Sequence, residues 1–439
     1  MTRLLHMENW DNKTGKRFWN IAWPASLEGL LIVLLSSVDL MMISSLGVEA
    51  TSAVGVFSQP KMILLCVARS FAIAVTTRIA RLQGEGRDSE LSSCLKQALI
   101  LILIVAGIMT ITAFNFLSPI LRLAGAQDDY FILALDYSRP VIISIFFTSV
   151  SIILHAGLLG IGHTKVMMAS NVIGNLINVG LNALLIYGLG PFPVLGVRGA
   201  AYGTLFGSLA TLIITLLVVS RKDISVSLFG LKGWLPESKN ISVFSRIFAG
   251  TLTEQSAERV GMFIYSRMIA GLGILPFAVH TICMNLCDLY YNFAHGMGKA
   301  SMVLSGHNMG SNDREEFHRS ASAGQRIGFI MSFIAFTLYI LLRTHLIGLY
   351  HSDEQVIELG RQIMLLVAIV SFPESQSLIC SGTLRGAGYI SYVANIQLLV
   401  LLLYVLLLPG YYAIGLVWVC MEHGSPFLLI KAHEQFVLH

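Results

Sequence analysis

Charge is what this 439-residue sequence has least of: Asp, Glu, Lys and Arg together make up 12% of it, against about 25% in soluble domains. Too few charges are present to clothe two or three soluble domains, and a basic nucleic-acid-binding face is excluded on the same ground. The net charge of +4 therefore reports how the loops are distributed rather than an anionic partner. Cysteine is sparse as well. Cys66, Cys94, Cys283, Cys287, Cys380 and Cys420 are scattered through apolar runs, which excludes a disulfide scaffold. Cys283 and Cys287 share a helix but have no convincing co-ligands, so they are expected to pack as small hydrophobes and no metal or cofactor is expected. Catalytic signatures are missing too: there is no His-Glu-x-x-His, Gly-x-Ser-x-Gly, phosphate-cradling Gly-rich loop or Gly-x-Gly-x-x-Gly. An enzyme is not expected, and any transport must be passive or driven by an ion gradient.

Hydrophobic residues make up 55% of the chain, enough for twelve helices of about 20 residues each. The expected class is an all-α membrane protein of twelve spans. Apolar runs fall at 19–43, 51–79, 93–116, 130–156, 165–188 and 194–220, then at 241–271, 275–305, 320–343, 353–382, 389–408 and 411–431. Glu422, His423 and Pro426 interrupt the last. The N-terminal stretch carries Arg3, Lys13, Lys16 and Arg17 without a cleavable leader, and Trp10, Trp19 and Trp23 suit the headgroup level. With the N-terminus inside, cytoplasmic segments hold 19 of the 29 Lys and Arg residues and outer loops hold three, Arg122, Arg198 and Arg343. That bias places both termini in the cytoplasm of a multi-pass protein of the cell membrane.

The two halves repeat at a constant displacement of 226. Glu28 matches Glu254, Leu46-Gly47 matches Leu272-Gly273, Gly84 matches Gly310, Gly160 matches Gly386 and Gly162 matches Gly388. A six-helix repeat keeps the same orientation in both copies, which are then related by an axis along the membrane normal. The expected organisation is an N-terminal lobe over 1–221, a polar cytoplasmic loop over 222–240 and a C-terminal lobe over 241–439. Two such pseudo-symmetric lobes around a central cleft can rock to open it to each side in turn, although duplication alone also builds a large bundle.

Ionisable and amide side chains inside spans mark candidate sites, because each needs a partner, water or a function. Glu28 and Asp39 on the first span are eleven residues apart, about 16 Å on one helical face. Asn171, Asn175, Asn178 and Asn182 line one face of the fifth span. Beside a carboxylate they suit a cation site or a proton relay; as helix–helix glue they need no ion at all. The seventh span carries Glu254, Glu258, Arg259 and Arg267. Its two carboxylates stack at i, i+4, so either one is protonated or a cation such as Arg259 or Arg267 compensates. Thr281, Asn285, Asp288, Asn292, His295 and Lys299 form a stripe on the eighth span that cannot face lipid. Lys61, Arg69 and Glu374 are isolated charges.

Ordered along the chain are Pro24-Ala-Ser-Leu-Glu28, Val38-Asp39-Leu-Met-Met, Gln59-Pro60, Gly196-Val-Arg-Gly-Ala200, Glu254-Gln255, Ser305-Gly-His-Asn-Met-Gly310 and Leu384-Arg385-Gly386-Ala387-Gly388. This set resembles the multidrug and toxic compound extrusion family over nearly the whole chain. The resemblance implies a secondary antiporter that exports organic, cationic or amphiphilic compounds in exchange for H⁺ or Na⁺ by alternating access. It implies ion or proton coupling at Asp39, Asn178, Asn182 and Glu254. Glu28, Asn175, Glu258, Asn285, Asp288, Asn292 and His295 would line the cavity. The implied partners are small organic cations or amphiphiles and the lipid bilayer, with the chain acting as a monomer and no nucleic acid involved. Three departures stand out: Asn182 replaces a frequent Asp, Leu158-Leu159-Gly160 lacks the Arg of Leu384-Arg385-Gly386, and Tyr389 replaces an acid. The alternatives are a flippase for a lipid-linked precursor, which needs a basic cleft, and a membrane enzyme or receptor.

Overall fold

The computed structural model describes residues 12–221, 224–228, 233–235, 237–270, 274–350 and 353–407. Twelve helices and no strand occur among these residues: α1 (Asn12–Ser44), α2 (Val48–Gly84), α3 (Asp88–Asn115), α4 (Leu117–Leu123), α5 (Asp128–Gly160), α6 (Thr164–Tyr187), α7 (Val197–Val219), α8 (Ser238–Ala270), α9 (Ile274–Gly310), α10 (Arg314–Gly348), α11 (Glu354–Ala387) and α12 (Ile390–Leu407). Eleven of the twelve expected spans are single helices, and α4 is a seven-residue turn that no span anticipates. The last expected span, 411–431, lies outside the described residues, as do Leu272, Gly273 and Trp10. Among the described residues, eight helices are long and apolar enough to cross a membrane. At 37 residues α2 runs for about 55 Å, so it projects well beyond a hydrocarbon layer of about 30 Å.

The duplication is built into the backbone. Helices α3, α5 and α6 begin at residues 88, 128 and 164, and α10, α11 and α12 begin at 314, 354 and 390. All three pairs are displaced by 226. The turns follow: Gly86 (φ 68°) corresponds to Asn312 (φ 57°), and Gly162 (φ 81°) to Gly388 (φ 95°). Asn is the side chain that best tolerates this left-handed conformation, which explains how the second copy dispenses with one glycine.

Two compact units form, Leu31–Phe248 and Met1–Leu30 with Ala249–His439. Their borders cut through α1 and α8, so the first helix of each repeat contributes to both units. In the Met1–Leu30/Ala249–His439 unit, the start of α1 seats Phe18 where a Cβ on Gly324 of α10 would stand only 2.7 Å from its ring, and Thr14 Oγ1 donates to Glu316 Oε1 at 3.1 Å. In the Leu31–Phe248 unit, the start of α8 does the same at displaced positions. Phe244 packs edge-on against Phe71 with centroids 5.5 Å apart, and Asn240 Nδ2 donates to Gln97 Oε1 at 2.8 Å.

Within the Leu31–Phe248 unit, α2 packs on α5 and α7 on both α5 and α6, around Phe57, Leu65, Tyr137, Ile142, Ile145 and Ile186. Lipid offers apolar surface as good as any helix, so close association needs small residues rather than hydrophobicity. Gly199, Gly203 and Gly207 recur every four residues on α7 and face α6; a Cβ at Gly207 would stand 2.7 Å from that of Asn178. The other unit is built on α9, α10 and α11, with Gly298 and Gly382 bringing α9 and α11 into backbone contact.

Candidate functional site

The Leu31–Phe248 unit gathers polar groups around Asp39. This half-buried carboxylate on α1 accepts a hydrogen bond from Asn182 Nδ2 of α6 at 2.9 Å. The contact joins two residues that the sequence put on separate spans without linking them. Asn182 is 1% exposed, and its Oδ1 has no hydrogen-bond partner among the described residues. That oxygen fills the place a Cβ on Gly203 would take, so the glycine strip of α7 is what admits the amide. One turn away, Asn178 is buried and its Nδ2 donates to Thr204 Oγ1 at 3.4 Å; Thr204 in turn donates to Ala200 O. Tyr137 of α5, buried, and Lys61 of α2, half-buried, lie in electrostatic range of Asp39. Asn175 bonds its own helix, donating to Asn171 O at 2.8 Å, and takes no part in the Asp39 pair. The amide satisfies one oxygen lone pair and leaves the other oxygen able to take a proton or a metal cation.

In the Met1–Leu30/Ala249–His439 unit the arrangement around Glu254 is of another kind. Glu254, 3% exposed on α8, forms an ion pair with Arg385 of α11. This corrects the expectation that Arg259 or Arg267 compensates it. Arg385 is 131 positions away, and it is the arginine of the Leu384-Arg385-Gly386 motif. Helix geometry turns Arg259 away from Glu254, and it instead lies 3.8 Å from Glu258, with both side chains well exposed; the Arg267 side chain lies outside the described residues. Glu254 Oε2 and Arg385 Nε are buried with no hydrogen bond among the described residues, so the pair is made through one oxygen. Glu28, displaced by 226 from Glu254, is also buried in this unit. The position corresponding to Arg385 is Leu159, which offers no charge.

The α9 stripe divides. Asn285 and Asp288 are exposed, whereas Asn292 and His295 are half-buried. Asn285 Nδ2 donates to Thr281 O at 2.9 Å and Asn292 Nδ2 to Asp288 O at 2.8 Å. The His295 ring lies 6.0 Å from that of Tyr291. Asn292 also meets α1, its carbonyl lying where a Cβ on Gly29 would stand only 2.6 Å away.

Sequence reasoning missed a second polar cluster in the same unit. Glu374 of α11, 2% exposed, lies in electrostatic range of Tyr290 and Tyr339. Tyr290 and Ser332 share a hydrogen bond at 2.7 Å, Ser332 and Ser375 another at 2.6 Å, and Tyr339 donates to Leu286 O at 2.7 Å. The available signal was Ser371 and Ser375 flanking Glu374 within one apolar run. Cys283 and Cys287 are both buried, and no group of three metal-ligating side chains occurs among the described residues.

Residues 24–184 and 251–409 match the model of the MatE family, once in each repeat. The chain belongs to the MatE family. It is 24% identical over 407 residues to the multidrug resistance protein NorM of Vibrio cholerae serotype O1, covering 92% of this chain and 88% of that protein. It is 22% identical over 371 residues to the multidrug resistance protein MdtK of Yersinia pseudotuberculosis serotype O:1b, covering 83% and 80%. Its fold is that of a crystal structure of MATE in the bent conformation, with a TM-score of 0.86 at 19% identity over 97% of this chain and 95% of that one. An outward-facing multidrug resistance MATE transporter of the MOP superfamily gives a TM-score of 0.86 at 20% identity over 95% and 94%. Within this MatE fold, the carboxylate of Asp39 is hydrogen-bonded to the neutral amide of Asn182, with Lys61 in electrostatic range.

Proposed function

We propose that this MatE protein is a secondary antiporter that moves small amphiphilic organic compounds out of the cell in exchange for H⁺ or Na⁺. In this reading it acts as a monomer in the cell membrane with both termini cytoplasmic. The observation that carries the reading is the Asp39–Asn182 pair. The hydrogen-bonding partner of Asp39 is a neutral amide, with the Lys61 cation in electrostatic range; a carboxylate inside a membrane protein is costly unless something neutralises it, and a proton or Na⁺ does so. Asn182, held by the glycine strip of α7, orients one carboxylate oxygen and leaves the other to the ion; the buried Asn182 Oδ1 and Thr204 supply further oxygens close by. A cationic substrate competes with the ion for the same carboxylate. Coupling follows when ion and substrate each bind the two access states with different affinity. The names of the NorM and MdtK relatives support the choice of multidrug export. Glu254 and Arg385 serve the structure of their own unit in this reading, because the charge is compensated within the protein.

The test is transport in sealed proteoliposomes loaded with ethidium, with a pH gradient and a Na⁺ gradient imposed separately. Movement driven by one gradient and abolished by collapsing it is the expected result and identifies the ion. Movement that ignores both gradients would overturn antiport.

A further inference from the structure

The second half of α1 is held loosely. Among residues 34–44 only Ile43 is buried, so apolar packing fixes little of its position and polar contacts carry more of it. Two levels of contact tie this half to α6. At the first, Asn182 Nδ2 donates to Asp39 Oδ1 at 2.9 Å. The second stands about 8 Å further along both helices. There Ser45 Oγ and Tyr187 Oη share a hydrogen bond at 2.9 Å, and Tyr187 Oη donates to Met42 O at 3.4 Å. Ser45 Oγ also donates to Met42 O at 2.7 Å. Two hydroxyl protons thus serve three oxygens, and whichever way they point the tyrosine proton ends on α1 or the serine proton on Tyr187. The α6 side of this tie is firm. Gly188 ends α6 in the left-handed conformation (φ 67°), and Leu195 N donates back to Leu185 O at 2.9 Å.

Displaced by 226 from Asp39, Ser45, Asn182 and Tyr187 stand Tyr265, Gly271, Leu408 and Ala413. The second repeat therefore has neither the carboxylate with its amide nor the two hydroxyls, and the two levels of contact occur in the same copy. We propose that Tyr187 is a positioning residue for Asp39: it pins the end of α1 to α6, so that the carboxylate stays within reach of Asn182 when an ion binds. A proton or Na⁺ on Asp39 weakens the first level, because a neutralised carboxylate is a poorer acceptor than a charged one. The second level is built from hydroxyls and a backbone carbonyl, none of which the ion neutralises. It then holds α1 on α6 by itself. A site kept assembled in this way has less to order when the ion arrives, and so binds it more tightly. The proposal rests on the antiport reading above and adds to it a residue that sets the affinity for the ion without touching it.

The test has two arms. The first needs no transport: a double-mutant cycle on the unfolding equilibrium of the purified full-length protein in detergent. Tyr187→Phe removes only the hydroxyl, and Asp39→Ala removes the first level. Both levels fix the same stretch of α1, so the combined effect on the unfolding constant should fall short of the product of the two single effects by about threefold or more. Single effects that simply multiply would overturn the proposal. The second arm is export by proteoliposomes under the gradient that drives the wild-type protein. Tyr187→Phe should raise the ion concentration for half-maximal export about three- to fivefold, the contribution of one net hydrogen bond, and leave the maximal rate within about twofold. Ser45→Thr keeps a hydroxyl and should match wild type, whereas Ser45→Ala should shift less than Tyr187→Phe because Tyr187 still donates to Met42 O. Tyr187 and Ser45 are both exposed, so these variants should fold. An unchanged half-maximal concentration in Tyr187→Phe, or a loss confined to the maximal rate, would overturn the proposal. If neither gradient drives export by the wild-type protein, the antiport reading fails, and the cycle still decides whether Tyr187 positions Asp39.

Discussion

The two repeats place a carboxylate on their first helix and then treat it in opposite ways. Asp39 on α1 is half-buried and accepts one hydrogen bond from an amide. Glu254 on α8 is buried and neutralised by Arg385. The two do not stand at equivalent positions: displaced by 226, Glu254 corresponds to Glu28 and Asp39 to Tyr265. They differ in partner as well. A buried ion pair is a closed arrangement in which each charge is the other's counter-ion, and its net contribution to stability is small because desolvation offsets attraction. A carboxylate beside an amide is an open one that a mobile cation completes. In the proposed antiport reading, one first helix carries a structural charge and the other an exchangeable one.

The largest effect should come from Asp39→Asn, which removes the exchangeable charge and little volume. Gradient-driven export in proteoliposomes should fall to background while the melting temperature stays within a few degrees of wild type. Retained export would dismiss Asp39 from the mechanism. Next comes Arg385→Met, which leaves Glu254 buried without its counter-ion. A loss of about 3–5 kcal/mol in unfolding free energy is expected, and the double substitution Glu254→Met/Arg385→Met should recover most of it. A double variant as unstable as the single one would mean that the pair does more than neutralise itself.

Much of this was legible in the sequence. The displacement of 226 predicts where α10, α11 and α12 of the second repeat start, because turn glycines and helix lengths are local features that duplication copies. The amide face of the fifth span was legible too, since helical periodicity alone puts Asn178 and Asn182 on one side. Partner choice was not. Arg259 is a neighbour of Glu254 in sequence, but Arg385 reaches it only because α11 packs where it does, and no local pattern encodes that. The break that makes α4 a separate turn was equally hidden. Phe116 (φ −101°, ψ 20°) interrupts the first copy, whereas α10 runs through the corresponding residues to Gly348 without a break. Division of α1 and α8 between two compact units has no sequence signature either, as each is one continuous helix.

A smaller effect is expected from Gly203→Ala. The new methyl would collide with Asn182 Oδ1 and approach Asn178 O to 3.1 Å, prising α6 from α7. A cost of about 1–3 kcal/mol is typical of such overpacking, accompanied by slower export as Asn182 loses its register with Asp39. Gly180→Ala is the control: nothing lies within 4 Å of its added carbon, so stability and export should both hold. If the two variants behave alike, the glycine strip does not position the amide. The smallest effect belongs to Arg259→Ala. Its contact with Glu258 is 3.8 Å long and both side chains are well exposed, so the change in unfolding free energy should stay below about 1 kcal/mol.

The most direct test of the contrast between an exchangeable and a structural carboxylate places Asp39→Asn and Glu254→Met/Arg385→Met side by side in proteoliposomes, under the gradient that drives the wild-type protein. The account predicts no export by the first and sustained export by the second. Export that survives in Asp39→Asn and vanishes in the folded double variant would contradict it.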